Sequence, residues 1–231
     1  CAFLLDADKS YRVTAKLGSR TDTGDATGAE TGTAKVPELG AEEWREVLES
    51  FLGESLQVPP MYSALKKGGK RLYELARKGE TVEREPRPIR IDAIELLEIA
   101  GSRLVFRVSC SKGTYVRTLV EDIAAKVGTV AHTASLHRET VGEFRAADML
   151  DLGTLEADAE AGEDILQGRL LPPDAALEGF PALELDAANA AKFTAGQEIS
   201  IAGPVEEGLV RVYGAEHRFC GVGELSGDGN L

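Results

Sequence analysis

Cysteine, aromatic residues and long apolar runs are all scarce in this 231-residue sequence. The three cysteines, Cys1, Cys110 and Cys220, lie far apart without CxxC or Cys/His spacing, which argues against a zinc site and against a disulfide framework. No apolar run approaches the length of a membrane span, and the first residues lack the basic-then-apolar pattern of a signal peptide. We therefore expect a cytoplasmic protein with reduced thiols, no membrane contact and no bound metal.

Positive charge is also in deficit, because 26 Lys and Arg stand against 39 Asp and Glu, a formal net charge of −13. Taken alone, this balance disfavours a nucleic-acid partner, since such affinity depends on neutralising phosphates. The charge is unevenly distributed, however. Residues 66–90, KKGGKRLYELARKGETVEREPRPIR, carry nine Lys or Arg against four Glu and are called the basic segment below. Its mixture of cationic and aromatic residues is typical of nucleic-acid surfaces, although a solvated face has the same composition.

Periodicity along the chain predicts both strands and helices. Residues 11–17 alternate apolar and polar side chains as a half-buried strand does, and RPIRIDAIELLEI and RLVFRVSCS predict further strands. Residues 41–53 place their apolar side chains on one helical face. Residues 116–127 predict another helix, with Thr114 as N-cap and Gly128 at its end.

The irregular order of these elements predicts an α+β, or mixed α/β, fold rather than repeating βαβ units. The composition changes near residue 172, where LLPPDAALEGFPALELD is typical of a linker. Two strands, joined at GAEH, are predicted beyond it. We therefore expect a main domain over residues 1–172 and a small β-rich domain over residues 173–231.

The stretch SCSKGTYVRT joins a predicted strand to a predicted helix. The first turn of a helix exposes unpaired N–H groups and attracts anions, and Lys112 and Arg117 add full positive charges. Tyr115 adds a ring on which a base can stack. A partner that carries a phosphate or carboxylate fits this pattern, but so does an ordinary helix start whose arginine pairs with a local acid.

The loop RTDTGDATG contains two acidic residues, Asp22 and Asp25. Asp, Thr and Gly are the residues that tight turns require, which is one interpretation. The other is a carboxylate that pairs with Arg117 across a cleft. The histidines show no ligand spacing, and we interpret His132 as a structural hydrogen-bonding residue.

Three segments together are more specific than any of these features: DKSYRVTAKLGSRTDTGDATG, QVPPMYSALKKGGKRLYELARKGETVEREPRPIRI and CSKGTYVRTLVEDIAAKVGTVAHTASLHRETVGEF. In order and spacing they resemble the TruB-type tRNA pseudouridine synthases of bacteria. LLPPDAAL and GLVRVYGAEHRFCGVGEL resemble that family's small C-terminal RNA-binding domain. The resemblance covers nearly the whole chain. It implies a pseudouridine synthase fold, with a central, mostly antiparallel sheet flanked by helices and a PUA-like C-terminal domain.

The resemblance also implies an activity. Such enzymes isomerise a uridine in the T-loop of tRNA by breaking the C1′–N1 bond and forming a C1′–C5 bond, without a cofactor. The base must leave the stack of the loop and enter a pocket. The implied partner is the T-arm stem-loop of tRNA, which is recognised by shape, stacking and backbone contacts. We expect a monomer.

Residue roles are carried over by position in the family's motifs. Tyr11, in DKxYxxxxxLG, stacks on the target base and helps to move a proton. Arg117, in KGTYxR, holds the catalytic aspartate ionised and oriented, and Asp25, in TDTxD, pairs with Arg117. Tyr115 lines the pocket, and Leu136, in HxxxLxR, packs against its wall. RNA contacts are expected from a set of basic and aromatic side chains: Lys9, Lys66, Lys67, Lys70, Arg71, Tyr73 and Lys112.

One motif of the family is missing. Its catalytic aspartate lies in an upstream GTLDPxAxG motif, which does not occur in this sequence. We therefore expect the chain to lack its nucleophile and to be cut at both ends, so the activity of the chain as printed is open. SLHRET also departs from the pattern, which more often has two basic residues after the leucine. The alternatives are a non-catalytic tRNA-binding or RNA-chaperone protein, and an unrelated α/β enzyme that acts on a small phosphorylated substrate.

Overall fold

A computed structural model describes residues 2–201 and 206–231. The chain divides into two compact units, residues 2–148 and residues 149–231. The sequence predicted the division at residues 172–173, whereas this grouping assigns the intervening helical stretch to the second unit. Each unit is described by itself.

The elements of the first unit alternate irregularly between strands and helices. Its strands are β1 (Lys9–Leu17), β2 (Ser19–Thr21), β3 (Glu30–Thr33), β4 (Gly53–Gln57), β5 (Lys66–Lys67), β6 (Lys70–Arg71), β7 (Arg87–Ala100), β8 (Arg103–Cys110), β9 (Ala131–Val141) and β10 (Phe144–Arg145). Its helices are α1 (Ala2–Asp6), α2 (Ala41–Glu49), α3 (Leu72–Ala76) and α4 (Val116–Lys126), followed by a 3₁₀ turn at Ala146–Asp148.

Six strands form one antiparallel sheet in the order β10-β9-β1-β8-β7-β4. Strand β1 lies between β8 and β9, and its residues alternate between buried and exposed positions as predicted. The predicted central antiparallel sheet is therefore confirmed. This order places the first strand of the chain beside strands whose residues lie about 100 positions later.

One face of the sheet carries the core of this unit. Val13 and Phe106 from the sheet pack with Trp44 of α2 and with Leu119 and Ile123 of α4, and all five are buried. Each such side chain contributes on the order of 1.5–3 kcal/mol through removal of apolar area from water. The two helices are thereby fixed on the face towards which the side chain of Tyr11 also points.

The start of α4 differs from the prediction. Its N-cap is Tyr115 rather than Thr114, and no side chain caps the first turn. The reason lies in tertiary contacts, because the Tyr115 N–H donates to Oε1 of Gln57 at 2.8 Å. The predicted end is correct, since Gly128 follows the helix with a φ of +76°.

The second unit is smaller. Its elements are α5 (Leu152–Ala161), α6 (Glu163–Gln167), a 3₁₀ turn (Ala175–Leu177), β11 (Ala182–Glu184), α7 (Ala187–Thr194), β12 (Gly208–Gly214), a 3₁₀ turn (Ala215–His217) and β13 (Arg218–Leu225). The strands form a sheet in the order β11-β12-β13. The two strands predicted around GAEH are thus β12 and β13, and the predicted C-terminal sheet is confirmed.

Candidate functional site

The loop that carries Asp25 is fastened to the sheet through its backbone. Ala26 N–H donates to the carbonyl of Thr133 at the start of β9, and Thr133 N–H donates to the carbonyl of Gly24, both at 3.0 Å. Gly24 has a φ of +71°, and a Cβ there would lie 3.3 Å from Oε1 of Glu121. A glycine is favoured at this position because of its positive φ, and a Cβ would also require the Glu121 side chain to shift by a few tenths of an ångström.

The carboxylate of Asp25 is held on both of its oxygens. Oδ1 accepts hydrogen bonds from the N–H and hydroxyl of Thr27 at 3.0 and 2.6 Å and from the hydroxyl of Thr23 at 2.9 Å. Oδ2 accepts one from Nη1 of Arg117 at 3.1 Å. Burial raises the pKa of Asp25, but these hydrogen bonds and the charge of Arg117 outweigh it and hold the pKa below its ordinary value of 3.8. Asp25 is therefore an ionised, fixed partner for the arginine.

Arg117 lies in the first turn of α4 and joins three segments of the chain. Nη1 donates to the carbonyl of Thr23 at 2.9 Å as well as to Asp25, and Nη2 donates to the carbonyl of Tyr62 at 2.9 Å. The side chain is 25% exposed. A guanidinium has five N–H donors, so these three bonds to described residues leave two donors for another acceptor. The arginine is thus fixed in place and still able to bind a carboxylate.

A second acidic residue, Glu121, lies one helical turn after Arg117. Burial and the neighbouring Asp122 raise the pKa of Glu121, and the charges of Arg117 and Arg20 oppose this rise. The sequence analysis did not single out Glu121. Its i+4 spacing from Arg117 is the signal that could have identified it.

We expect Asp25→Asn to lower stability by roughly 1–2 kcal/mol at pH 7, because it removes the charge from a network of charge-assisted hydrogen bonds. A depressed pKa in the folded state contributes stability above the ordinary value of 3.8. That contribution is lost as the pH falls through the folded-state pKa. In urea unfolding, the difference between parent and variant at pH 7 should therefore begin to shrink near pH 3.8 and disappear below the folded-state pKa of Asp25.

Asp22→Asn is the matched control in the same loop. The amide keeps the oxygen that accepts from the N–H of Ala29 at 2.8 Å. A smaller loss of stability is expected than for Asp25→Asn. Equal losses of stability in the two variants at pH 7 would contradict a stabilising role for the charge of Asp25 beside Arg117.

Tyr11, Leu136 and Arg138 share one face of the sheet. In the β1–β9 register, Tyr11 lies opposite Arg138, and buried Val13 lies opposite Leu136. Directly opposite residues point to the same side. Cζ of Arg138 is 5.9 Å from the centroid of the Tyr11 ring. Leu136 is 45% exposed, so it lies at the edge of this face, on the solvent side of the packed core.

The phenol of Tyr11 is half-buried. Burial raises its pKa above the ordinary 10.0, and the positive charge of Arg138 opposes this only in part. At neutral pH the phenol therefore keeps its proton and is a hydrogen-bond donor. Arg138, in SLHRET, was not among the predicted site residues, although it is the last residue of the HxxxLxR motif; its place in the β1–β9 register brings it to Tyr11.

Gln57 is a second residue that the sequence analysis missed. It is 4% exposed and fixes the backbone of Tyr115 through two hydrogen bonds, from Tyr115 N–H at 2.8 Å and to its carbonyl at 3.2 Å. This clamp sets the start of α4 and hence the position of Arg117. Tyr62 acts through its backbone carbonyl, which any residue type supplies, so no sequence signal could have identified it.

The predicted RNA-binding residues separate into two groups. Lys66, Lys67, Lys70 and Arg71 form the β5–β6 hairpin and are exposed, and Arg71 lies over the ring of Tyr73 at 5.9 Å. The other group, Lys9 and Lys112, contacts the first residues of the chain. Lys9 Nζ donates to the carbonyls of residues 5 and 7, and Lys112 Nζ pairs with Asp6 at 2.6 Å. The structure does not join them to the β5–β6 hairpin through any described contact.

Negative charge is concentrated at one end of the sequence. Residues 149–231 contain 16 Asp and Glu against four Lys and Arg, which is −12 of the total of −13. Residues 1–148 therefore carry 23 acidic and 22 basic residues, a net charge of −1. Most of the overall negative charge thus belongs to the second unit, so the total of −13 does not argue against nucleic-acid contacts of the first unit.

The described residues contain neither a membrane-spanning helix nor a cluster of metal ligands. None of the helices between residues 2 and 231, with residues 202–205 set aside, is long and apolar enough to cross a membrane. Within the same ranges no group of three or more His, Cys, Asp or Glu is placed to hold a metal ion.

Comparison with known families matches the chain in three consecutive parts. Residues 1–116 match the TruB family pseudouridylate synthase N-terminal domain, and residues 117–178 match the tRNA pseudouridylate synthase B C-terminal domain. Residues 181–231 match the C-terminal domain of pseudouridine synthase II TruB. The last two matches meet between residues 178 and 181.

Similar proteins include two named tRNA pseudouridine synthase B. The protein of Dechloromonas aromatica is 47% identical over 230 residues, which are 100% of this chain and 75% of the relative. That of Stutzerimonas stutzeri is 44% identical over 230 residues, covering 99% of this chain and 75% of the relative.

Solved structures share the fold at lower identity. A chain of a Cbf5–Nop10–Gar1 complex aligns with a TM-score of 0.69 and 23% identity over 99% of this chain and 63% of that chain. A chain of an H/ACA RNP bound to a substrate RNA containing 2′-deoxyuridine aligns with a TM-score of 0.69 and 22% identity, covering 97% and 61%. At such identity the likeness shows the fold alone.

Proposed function

Because this chain belongs to the TruB family of tRNA pseudouridine synthases, we propose that it supplies most of an enzyme that isomerises a T-loop uridine of tRNA to pseudouridine. The observation that carries this proposal is the state of Arg117. Its guanidinium is fixed by Thr23, Asp25 and Tyr62 and keeps two donors unused among the described residues. The two remaining donors, on Nε and Nη2, can hold a carboxylate nucleophile ionised and oriented.

The reaction divides between residues inside and outside the chain. The resemblance assigns the nucleophile to the aspartate of a GTLDPxAxG motif, which residues 1–231 do not contain. Arg117 holds that carboxylate, and Asp25 holds Arg117. The C1′–N1 bond breaks, the C1′–C5 bond forms, and the hydrogen of C5 leaves as N1 gains a proton. Tyr11, protonated and partly exposed, stacks on the base and donates or relays this proton.

Binding of the T-arm is assigned to the first unit. The β5–β6 hairpin presents Lys66, Lys67, Lys70 and Arg71 to solvent, and Tyr73 offers a ring between cationic side chains. Cationic groups track the RNA backbone while the ring stacks on a base. We also infer that the protein is cytoplasmic and acts as a monomer. Light scattering of the purified chain, with and without the T-arm, tests the monomeric state.

The experiment that tests the function uses a fusion. A synthetic upstream segment that carries the family's GTLDPxAxG motif is joined to residue 1. Tritium release from tRNA labelled at C5 of uridine is then measured for this fusion protein. Release from the T-loop position is expected, because the fusion joins the nucleophile to the arginine that orients it.

The control is the same fusion with the motif's aspartate replaced by asparagine, which should release no tritium. Equal release from the two fusions would contradict the assigned nucleophile. Binding of the T-arm without release from either would revive the alternative of a non-catalytic tRNA-binding protein, which the names of the relatives do not favour.

A further inference from the structure

The turn between β12 and β13 carries a histidine ring that is covered on one face and open on the other. The imidazole of His217 stacks on the ring of Tyr213, with the two centroids 4.2 Å apart and the planes 5° from parallel. The His217 side chain is nevertheless 70% exposed. Because Tyr213 covers one face, the opposite face of the imidazole lies in solvent. The second unit therefore presents a flat, open ring at this turn.

Tyr213 gives this ring a rigid support. Tyr213 is 2% exposed, and its hydroxyl donates a hydrogen bond to the carboxylate of Asp174. The ring of Phe219 meets the ring of Tyr213 edge-on, with centroids 5.7 Å apart. Asp174 also lies 3.9 Å from Nη1 of Arg211. A buried ring that is held at its edge and at its hydroxyl stays in one orientation, so the imidazole stacked on it has a fixed base.

The imidazole is also held by a carboxylate at its edge. Nδ1 of His217 lies 2.6 Å from Oε1 of Glu184, the residue opposite Tyr213 in the β11–β12 register. An ionised carboxylate only accepts hydrogen bonds, so Nδ1 carries the proton and donates it. In the neutral imidazole, Nε2 is then a hydrogen-bond acceptor. The ring is therefore fixed in orientation as well as in position.

The backbone of this turn has an uncommon conformation. Glu216 and His217 have φ values of +58° and +55°, in the left-handed region that residues other than glycine seldom occupy. Such conformations cost free energy, persist only where the surroundings impose them, and are concentrated at functional sites. Here the stack on Tyr213 and the contact with Glu184 impose the conformation. The turn thus holds the open ring in place at a cost in stability that a binding role accounts for.

The open side of the ring is bordered by hydrogen-bond acceptors and negative charge. Oε2 of Glu184 has no partner within residues 2–201 and 206–231, and the Glu184 side chain is 56% exposed. Nε2 of His217 is a second acceptor. The unit contains 16 Asp and Glu against four Lys and Arg, which favours a cationic ligand over an anionic one. A flat face bordered by acceptors fits a flat group that carries donors and positive charge.

We propose that the outer face of His217, with Glu184 at its edge, binds an arginine side chain of a protein partner. The guanidinium stacks on the imidazole and donates to Oε2 of Glu184. Among protein side chains, the guanidinium alone is planar, permanently charged and composed only of donors. A lysine ammonium has the charge but no flat face. The site goes beyond the proposed function, because it lies in the second unit and does not require RNA.

The test measures the arginine anchor by itself, because one side chain supplies only part of a larger contact. The probe is N-acetyl-arginine N-methylamide, titrated into the isotope-labelled 231-residue chain and followed by NMR. Resonances of the His217 ring and of Glu184 should shift and saturate with a Kd of roughly 1–10 mM. N-acetyl-lysine N-methylamide should bind at least about fivefold more weakly, since it cannot stack.

Two variants separate the ring from the carboxylate. His217→Asn removes the imidazole, and asparagine tolerates a positive φ. Glu184→Gln keeps the shape of the side chain and removes its charge. Each should weaken binding of the arginine probe at least about fivefold. The matched controls, His137→Asn and Glu224→Gln, change exposed strand residues outside the turn and should bind as the parent does. If shifted resonances of buried Val212 show that His217→Asn disturbs the sheet, Glu184→Gln decides the question.

Uridine 5′-monophosphate is the competing probe, since a nucleobase also stacks on an open ring. It should shift neither His217 nor Glu184 at the concentration that saturates with the arginine probe. Binding of the nucleotide at His217 as tightly as the arginine probe would overturn the proposal in favour of an RNA contact. Equal affinity of the arginine probe for the parent and for both variants would overturn it as well. Neither result affects tritium release by the fusion, so the proposed function is decided separately.

Discussion

Arg117→Ala in the fusion protein is expected to lower tritium release by at least ~10²-fold while the T-arm still binds. The guanidinium is the only part of the site that contacts Asp25, Thr23 and Tyr62 together within the described residues. In the proposed role, its loss removes both the charge that keeps the nucleophilic carboxylate ionised and the geometry that orients it. Single-turnover release at saturating enzyme separates this effect from binding.

Arg117→Lys makes the prediction sharper. A lysine keeps the charge but has no planar fork, so it cannot reproduce three directional bonds and still present two parallel donors. More than tenfold loss is expected for this variant, which would show that geometry matters beyond charge. Arg45→Ala, on the exposed side of α2, is the control and should release tritium as the parent does.

Stability must be followed in parallel, because Arg117 also ties the Asp25 loop to the segment around Tyr62. Arg117→Ala is expected to cost roughly 1–3 kcal/mol of unfolding free energy. Urea unfolding identifies the conditions under which the variant is fully folded, and release is compared there. Release within about threefold of the parent under those conditions would refute the carboxylate-holding role.

The sequence predicted those parts of the fold that depend on local periodicity. Strand β1 and the end of α4 at Gly128 follow from alternation, helical spacing and a glycine. The N-cap was wrong because Gln57, 58 residues earlier, takes the N–H of Tyr115. Local rules contain no information on such a partner. The order of the strands in the sheet was not predicted, since the resemblance implied only a central, mostly antiparallel sheet flanked by helices.

The candidate site shows the same division. Arg117, Asp25 and Tyr11 were identified by type and motif, and the structure supplies the 3.1 Å contact between the first two. Tyr62 was missed because it acts through its backbone. Arg138 belongs to the HxxxLxR motif, but its contact with Tyr11, 127 positions earlier in the chain, is not visible in local spacing. The net charge is a further example. The total of −13 disfavoured a nucleic-acid partner, but −12 of it lies in residues 149–231, which the structure groups as a separate unit.

Tyr11→Phe is the second variant with a large expected effect. It keeps the ring that stacks on the base and removes only the hydroxyl. If the hydroxyl moves a proton in the reaction, release in the fusion should fall by about 10²–10⁴-fold while affinity for the T-arm stays unchanged. Tyr213→Phe removes the same atom from the second unit, where the hydroxyl contacts Asp174, and should not change the saturated rate.

The pH dependence gives an independent check. Burial raises the pKa of Tyr11 above 10.0, so the phenol stays protonated across the neutral and mildly alkaline range. Titration of Tyr11 should therefore not lower tritium release between pH 7 and about pH 9. Parent and Tyr11→Phe fusions should have pH profiles of the same shape in this range. A full saturated rate in Tyr11→Phe would exclude the proton-transfer role. In that case Tyr11→Leu, which removes the ring as well, would test stacking alone. A ring that stacks on the base contributes to binding whether or not it carries a hydroxyl, so Tyr11→Leu should lower the affinity for the T-arm.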